Sequence, residues 1–158
     1  MLKNILTLIR WKNLLIIVFT MYVMRYAVIL PLVEMRGFRL QFGNINFLLL
    51  VFAAVLIAAA GYVINDVLDI KADSVNRGEQ AVIGKSISNR PALALYIVLN
   101  LIALFIGVYL SYQINLPRLG LIFVIIIGLL WFYSDSYKKQ LAVGNIIVAL
   151  LTAMVPLI

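Results

Sequence analysis

Apolar residues run through this chain in long unbroken stretches rather than in alternation. The stretches occupy 14–33, 45–64, 91–112 and 119–133, and a fifth begins near 143 and is still apolar at Ile158. A bilayer-spanning helix needs about 20 apolar residues. The fourth stretch approaches that length only if 116–118 join it. A spanning segment must satisfy its backbone polar groups internally, which leaves helices or a closed barrel, and a barrel would alternate with period two. The pattern therefore predicts an all-α, polytopic transmembrane bundle of about five helices, at 14–33, 45–73, 91–112, 117–133 and 143–158.

Local residues sharpen those limits. Pro91 and Pro117 stand where a helix can begin, because the first turn has no use for that N–H. The second stretch carries Ala53, Ala54, Ala58, Ala59, Ala60 and Gly61. Small residues let membrane helices approach closely, so this helix is expected at the centre of the bundle. Arg25 lies well inside the first stretch. Buried arginines in membrane helices face a partner or snorkel outward, and a structural role is expected for it.

Composition makes the bilayer the required solvent. The 158 residues are 65% hydrophobic, with a mean hydropathy of +1.11. Soluble domains are about 45–50% apolar. The net charge of +7 sits between the apolar stretches, so topology explains it and no nucleic-acid partner is implied. One side carries Lys3, Arg10, Lys12, Lys71, Arg77, Lys85, Arg90, Lys138 and Lys139, and the other only Arg36, Arg39 and Arg118. The bias places the N-terminus, 65–90 and 134–142 in the cytoplasm. Trp11, Trp131, Phe132 and Tyr133 then fall at the inner interface. The first stretch has no convincing cleavage site and reads as a retained helix of a cell membrane protein.

The chain has no Cys and no His. This removes a disulfide, a Cys/His zinc site, a thiol nucleophile and an imidazole base. A bound metal would be held by oxygen, pointing to Mg²⁺ or Ca²⁺.

One segment carries candidate chemistry. Asn65-Asp66-Val67-Leu68-Asp69-Ile70-Lys71-Ala72-Asp73 continues the second stretch at its inner end. On a helix Asn65 stands at 0°, Asp69 near 40°, Asp73 near 80° and Asp66 near 100°. Four oxygen-bearing side chains thus share one arc, with about 12 Å between the first and last along the axis. Acids at a helix C-terminus oppose the macrodipole, and like charges one turn apart repel. A divalent cation relieves both penalties, and Mg²⁺ typically binds one or two carboxylates together with substrate phosphate oxygens. A solvated acidic helix end is the bland alternative. Arg77 and Lys85 follow and could pair with diphosphate oxygens, though the positive-inside bias accounts for them equally.

These residues resemble the first aspartate-rich motif of the UbiA superfamily of intramembrane prenyltransferases, N-D-x-x-D-x-x-x-D, at Asn65, Asp66, Asp69 and Asp73. The family often continues N-[KR]-P-x-[KR]-P. Here Asn76-Arg77 match, whereas Gly78, Gln80 and Ala81 depart from it. Gly84-Lys85-Ser86-Ile87-Ser88 resembles the next family segment, with one extra residue. Asn13 resembles a polar residue facing the family's active cavity, and Tyr133-Ser134 with Lys138, then Gly144-Asn145, resembles the region after the fourth helix. Among subgroups, Ile64-Asn65-Asp66 with Asp69-Ile70-Lys71 is most similar to members that prenylate glycerol phosphate.

The resemblance implies Mg²⁺-dependent transfer of an isoprenyl group from a diphosphate to a lipid or aromatic acceptor among membrane lipids. Asn65, Asp69 and Asp73 would hold the metal, Asp66, Asp69 and Asp73 would be catalytic, and Asn13, Asn65, Arg77, Lys85 and Lys138 would bind substrate. It implies a nine-helix fold with a second acidic motif, so the chain is expected to be the N-terminal half and to need a missing C-terminal half. The rivals are a lipid-diphosphate-binding half-protein or one half of a split enzyme. A CDP-alcohol phosphotransferase fits poorly, because Val67-Leu68 stand where that motif has a glycine, and a transporter has only the intramembrane polar residues in its favour.

Overall fold

The computed structural model describes residues 2–70, 83–84, 87–140, 144, 146, 149, 150 and 153. Among these residues it is all helical. A short helix, α1 (Leu2–Leu8), bends at Arg10 into the first long helix, α2 (Trp11–Met35). Then follow α3 (Asn44–Leu68), α4 (Asn89–Gln113) and α5 (Gly120–Asp135), which is entered through a 3₁₀ turn at Pro117–Leu119. A second 3₁₀ turn, Tyr137–Lys139, follows α5. Among the described residues, four helical segments are long and apolar enough to cross a membrane. The expected fifth helix lies mostly outside the described residues, where Gly144, Ile146, Ala149, Leu150 and Ala153 are helical.

α3 is the central helix. Of its apolar stretch 61% is buried, against 11% for α2, 22% for α4 and 17% for α5. Its small residues make this possible. Ala53 and Ala60 have no exposed surface, and neighbouring backbones can come close where no large side chain intervenes. Met21 of α2, Phe47, Leu50, Val51 and Leu56 of α3, Ala103 and Ile106 of α4 and Phe123 of α5 form one core. Gly107 lets α4 meet α5: a Cβ there would stand 2.4 Å from the Phe123 ring. The outward faces of α2, α4 and α5, with exposed Phe19, Phe105, Leu121 and Ile125, are those of lipid-facing helices.

Two features of α2 depart from the sequence reading. Its first turns are preceded by a separate helix, α1, whose Leu8 is fully buried. Its middle widens into a π-helical stretch at Met24–Ile29, in which the Leu30 N–H bonds to the Arg25 carbonyl five residues back. Pro31 explains the widening, since a mid-helix proline lacks the N–H and crowds the carbonyl four residues earlier. The same stretch turns Arg25 inward. Its Nη2 donates to the Phe42 carbonyl (2.7 Å) and to Asn44 Oδ1 (3.1 Å), and its guanidinium lies 4.4 Å from the Phe47 ring centre. Arg25 thus ties the 36–43 loop to the bundle, a structural task, with Nε left unpartnered.

The helix expected to run to 73 is interrupted at Asp69: α3 ends at Leu68, Ile70 is again helical, and 71–73 lie outside the described residues. Asp69 leaves helical geometry (φ −96°, ψ 9°), although its N–H still bonds to the Asn65 carbonyl at 3.0 Å. Aspartate is a poor helix former, and its charge opposes the C-terminal dipole.

Candidate metal and diphosphate site

The N-terminal end of α2 and the C-terminal ends of α3 and α5 meet where the acidic segment leaves the bundle. Beneath it lies a second apolar cluster of Leu8, Val63, Ile64, Val67, Ile83 and Ala92. Ile83 returns to this cluster and faces Ile87 across a tight turn at Gly84, whose φ of 87° suits glycine. The acids therefore stand on a packed floor rather than on a frayed helix end.

Of the expected arc of four oxygen-bearing side chains, the three that are described divide between two faces. Asn65 and Asp69, one turn apart, face α5. Lys138, in the turn after α5, donates from Nζ to Asp69 Oδ1 at 2.6 Å and reaches Asn65 Oδ1 at 3.5 Å. This pair is only partly exposed, 16% for Lys138 and 25% for Asp69. Asp66 instead faces the elbow between α1 and α2, where Arg10 Nη2 donates to its Oδ1 at 3.0 Å. The two faces lie about 60° apart round the helix, enough to send the carboxylates to different partners.

Asn13 also reaches this end of the bundle. Its Nδ2 donates to the Tyr62 hydroxyl at 3.2 Å, and the Arg10 guanidinium lies 4.8 Å from the centre of the same ring. Of the expected site residues, the structure brings Asn13, Asn65, Asp66, Asp69 and Lys138 to one end. Asp73, Arg77 and Lys85 lie outside the described residues. Among the described residues no three carboxylates converge on one point. Arg10 was not anticipated, because in the sequence it is one more cation of a basic leader.

The turn holding Lys138 is tightly fixed. The Gln140 N–H closes it onto the Tyr137 carbonyl at 3.0 Å. Gly144 packs so closely that a Cβ would stand 2.7 Å from that carbonyl oxygen and 3.3 Å from the Lys138 Cα. Beside it the Trp131 and Phe132 rings meet edge to face, and the Phe132 ring lies tilted against Tyr137. What the arrangement offers is an amide oxygen and a carboxylate oxygen on one face, with an ammonium against them.

The UbiA prenyltransferase family matches residues 35–158. The chain belongs to that family. It is 40% identical to digeranylgeranylglyceryl phosphate synthase of Saccharolobus solfataricus over 63% of this chain and 33% of that protein. It is 36% identical to the synthase of Sulfurisphaera tokodaii over 70% of this chain and 38% of that one. A solved structure concerning the same synthase in membranes superposes with a TM-score of 0.74 at 29% identity, covering 99% of this chain and 51% of that one. The chain thus spans about a third of the length of the curated relatives it matches. Family and apolar helices together make it an integral membrane protein.

Proposed function

We propose that this chain takes part in moving a geranylgeranyl group from its diphosphate to a glycerol-phosphate lipid within the membrane. The observation that carries the reading is the Asn65–Asp69–Lys138 cluster, acceptor oxygens and a cation side by side at the end of a central membrane helix. The relatives' shared name supplies the substrate class.

The donor set suits Mg²⁺. The chain holds neither Cys nor His, and the oxygens of Asn65 and Asp69 are hard donors of the kind Mg²⁺ takes along with phosphate. Asp73 would join them by the family resemblance. When bound, Mg²⁺ would stabilise negative charge on a departing diphosphate. Lys138 carries an ammonium within reach of the same place, and Arg77 and Lys85 would add charge-assisted hydrogen bonds to phosphate oxygens. Asn13, held by Tyr62, would present a neutral polar group at the same end of the bundle. The apolar helix walls would keep water from the reacting carbon. The excess of Lys and Arg on the motif side supports a cytoplasmic site.

The test is product formation in membranes containing the chain, supplied with labelled geranylgeranyl diphosphate, geranylgeranylglyceryl phosphate and Mg²⁺. Asp69→Asn is expected to lower the metal-dependent rate by about 10²-fold or more, since removing one charge-stabilising group typically costs that much. An Asp69→Asn protein with the parent rate would overturn the reading. Metal-dependent binding of the diphosphate without product would assign the chain a binding role instead.

A further inference from the structure

We infer that Arg10 and Asp66 are a positioning pair: their contact holds the α1–α2 elbow on α3 and helps set the direction in which Asn65 and Asp69 face Lys138. The inference rests on the proposed reading of Asn65 and Asp69 as metal-facing residues.

Arg10 occupies an unusual backbone conformation, φ 51° and ψ 53°, at the elbow between α1 and α2. A side chain with a Cβ adopts this left-handed conformation at a cost, and it persists where the surroundings over-determine it. Here they do. Leu8, two residues earlier, is fully buried against the floor beneath the acids. Arg10 itself makes two contacts on one stripe of α3. Its Nη2 meets Asp66 at 3.0 Å and its flat face covers Tyr62, one turn earlier, at 4.8 Å. Asn13, one turn into α2, donates to the hydroxyl of that same tyrosine. The elbow thus grips the Tyr62–Asp66 stripe with one charged hydrogen bond and one stacked face, a combination that the planar guanidinium allows.

The grip has a consequence on the neighbouring stripe. Asn65 and Asp69 sit about 60° round the axis from Tyr62 and Asp66, and the Asp69 N–H, one residue past α3, still bonds to the Asn65 carbonyl. Fixing one stripe fixes the other. The side chain of Asp66 is 9% exposed while that of Arg10 is 33% exposed. The carboxylate is therefore the inner member, aimed at the elbow, whereas the Asp69 carboxylate is the more open one and faces α5.

The measurement is Mn²⁺ uptake by the chain in lipid nanodiscs, read from the electron paramagnetic resonance signal of the free ion. The decisive variant is the double substitution Arg10→Gln with Asp66→Asn. It removes one positive and one negative charge together, so the field at Asn65 and Asp69 changes little and positioning alone is read. We expect at least about fivefold weaker uptake than the parent, with coupled rather than additive single effects. Arg10→Lys keeps the charge and the fold, and is expected to restore part of the loss but not the stacked face. Parent-like uptake by the double variant would overturn the inference while leaving the metal reading intact. So would loss of uptake in Asp66→Asn as complete as in Asp69→Asn, with Arg10→Gln unaffected, because that result makes Asp66 a ligand. A parent protein that takes up no Mn²⁺ would overturn both.

Discussion

Replacing Lys138 should move metal binding and diphosphate binding in opposite directions. The ammonium lies 2.6 Å from Asp69 Oδ1, so a divalent ion bound at that oxygen and the ammonium in its present place exclude each other. A double charge and a single charge about 4 Å apart repel by about 8 kcal/mol at an effective dielectric of about 20. That figure is a ceiling, because the lysine can swing away. What must be given up is its charge-assisted hydrogen bond, worth about 1.5–3 kcal/mol when well shielded. The pair is partly open to solvent, which favours the lower end. Lys138→Gln should therefore tighten Mn²⁺ uptake by about tenfold, since about 1.4 kcal/mol is a factor of ten. The same substitution should weaken geranylgeranyl diphosphate binding, because one phosphate partner is lost. Nanodisc titrations with Mn²⁺ alone, then with the diphosphate at saturating Mn²⁺, give both numbers. Unchanged or weaker Mn²⁺ uptake would refute the reasoning. So would an equal loss of both affinities, which is the mark of a merely structural lysine.

Two further expectations concern the bundle itself. Gly107→Ala should lower the unfolding midpoint in detergent by an amount corresponding to about 1–3 kcal/mol, because its Cβ would meet the buried Phe123 ring at 2.4–2.7 Å; an unchanged midpoint would show that α4 and α5 part freely. The chain has no cysteine, so single substitutions Lys12→Cys and Arg39→Cys report topology cleanly. An impermeant maleimide added outside intact cells should label Arg39→Cys and spare Lys12→Cys, and the reverse pattern would invert the orientation drawn from the Lys and Arg bias.

The apolar stretches alone determined that the chain is a bundle of membrane helices and roughly where each runs, because the bilayer leaves a backbone few other choices. The alanines of α3 marked the central helix for a similarly simple reason, since only small side chains permit close packing in lipid. The spacing of Asn65, Asp66 and Asp69 pointed to this end of the bundle as the candidate site. Helical spacing gives angles about one axis, however, and says nothing of what stands opposite. Tertiary contacts decided that Asp69 and Asn65 face Lys138, 69 and 73 residues away in sequence. They also decided that Asp66 turns to Arg10, 56 residues away. Arg10 could not be picked out beforehand: the positive-inside bias gives every cation of the leader the same explanation, and its left-handed backbone has no glycine to announce it. Pro31 was a visible hint of the π-helical stretch, but the inward turn of Arg25 depended on the Phe42 carbonyl and Asn44 being there to receive it. Solvent fixes helices through the chain's own composition, whereas the pairing of charges depends on which helix ends the packed core brings together.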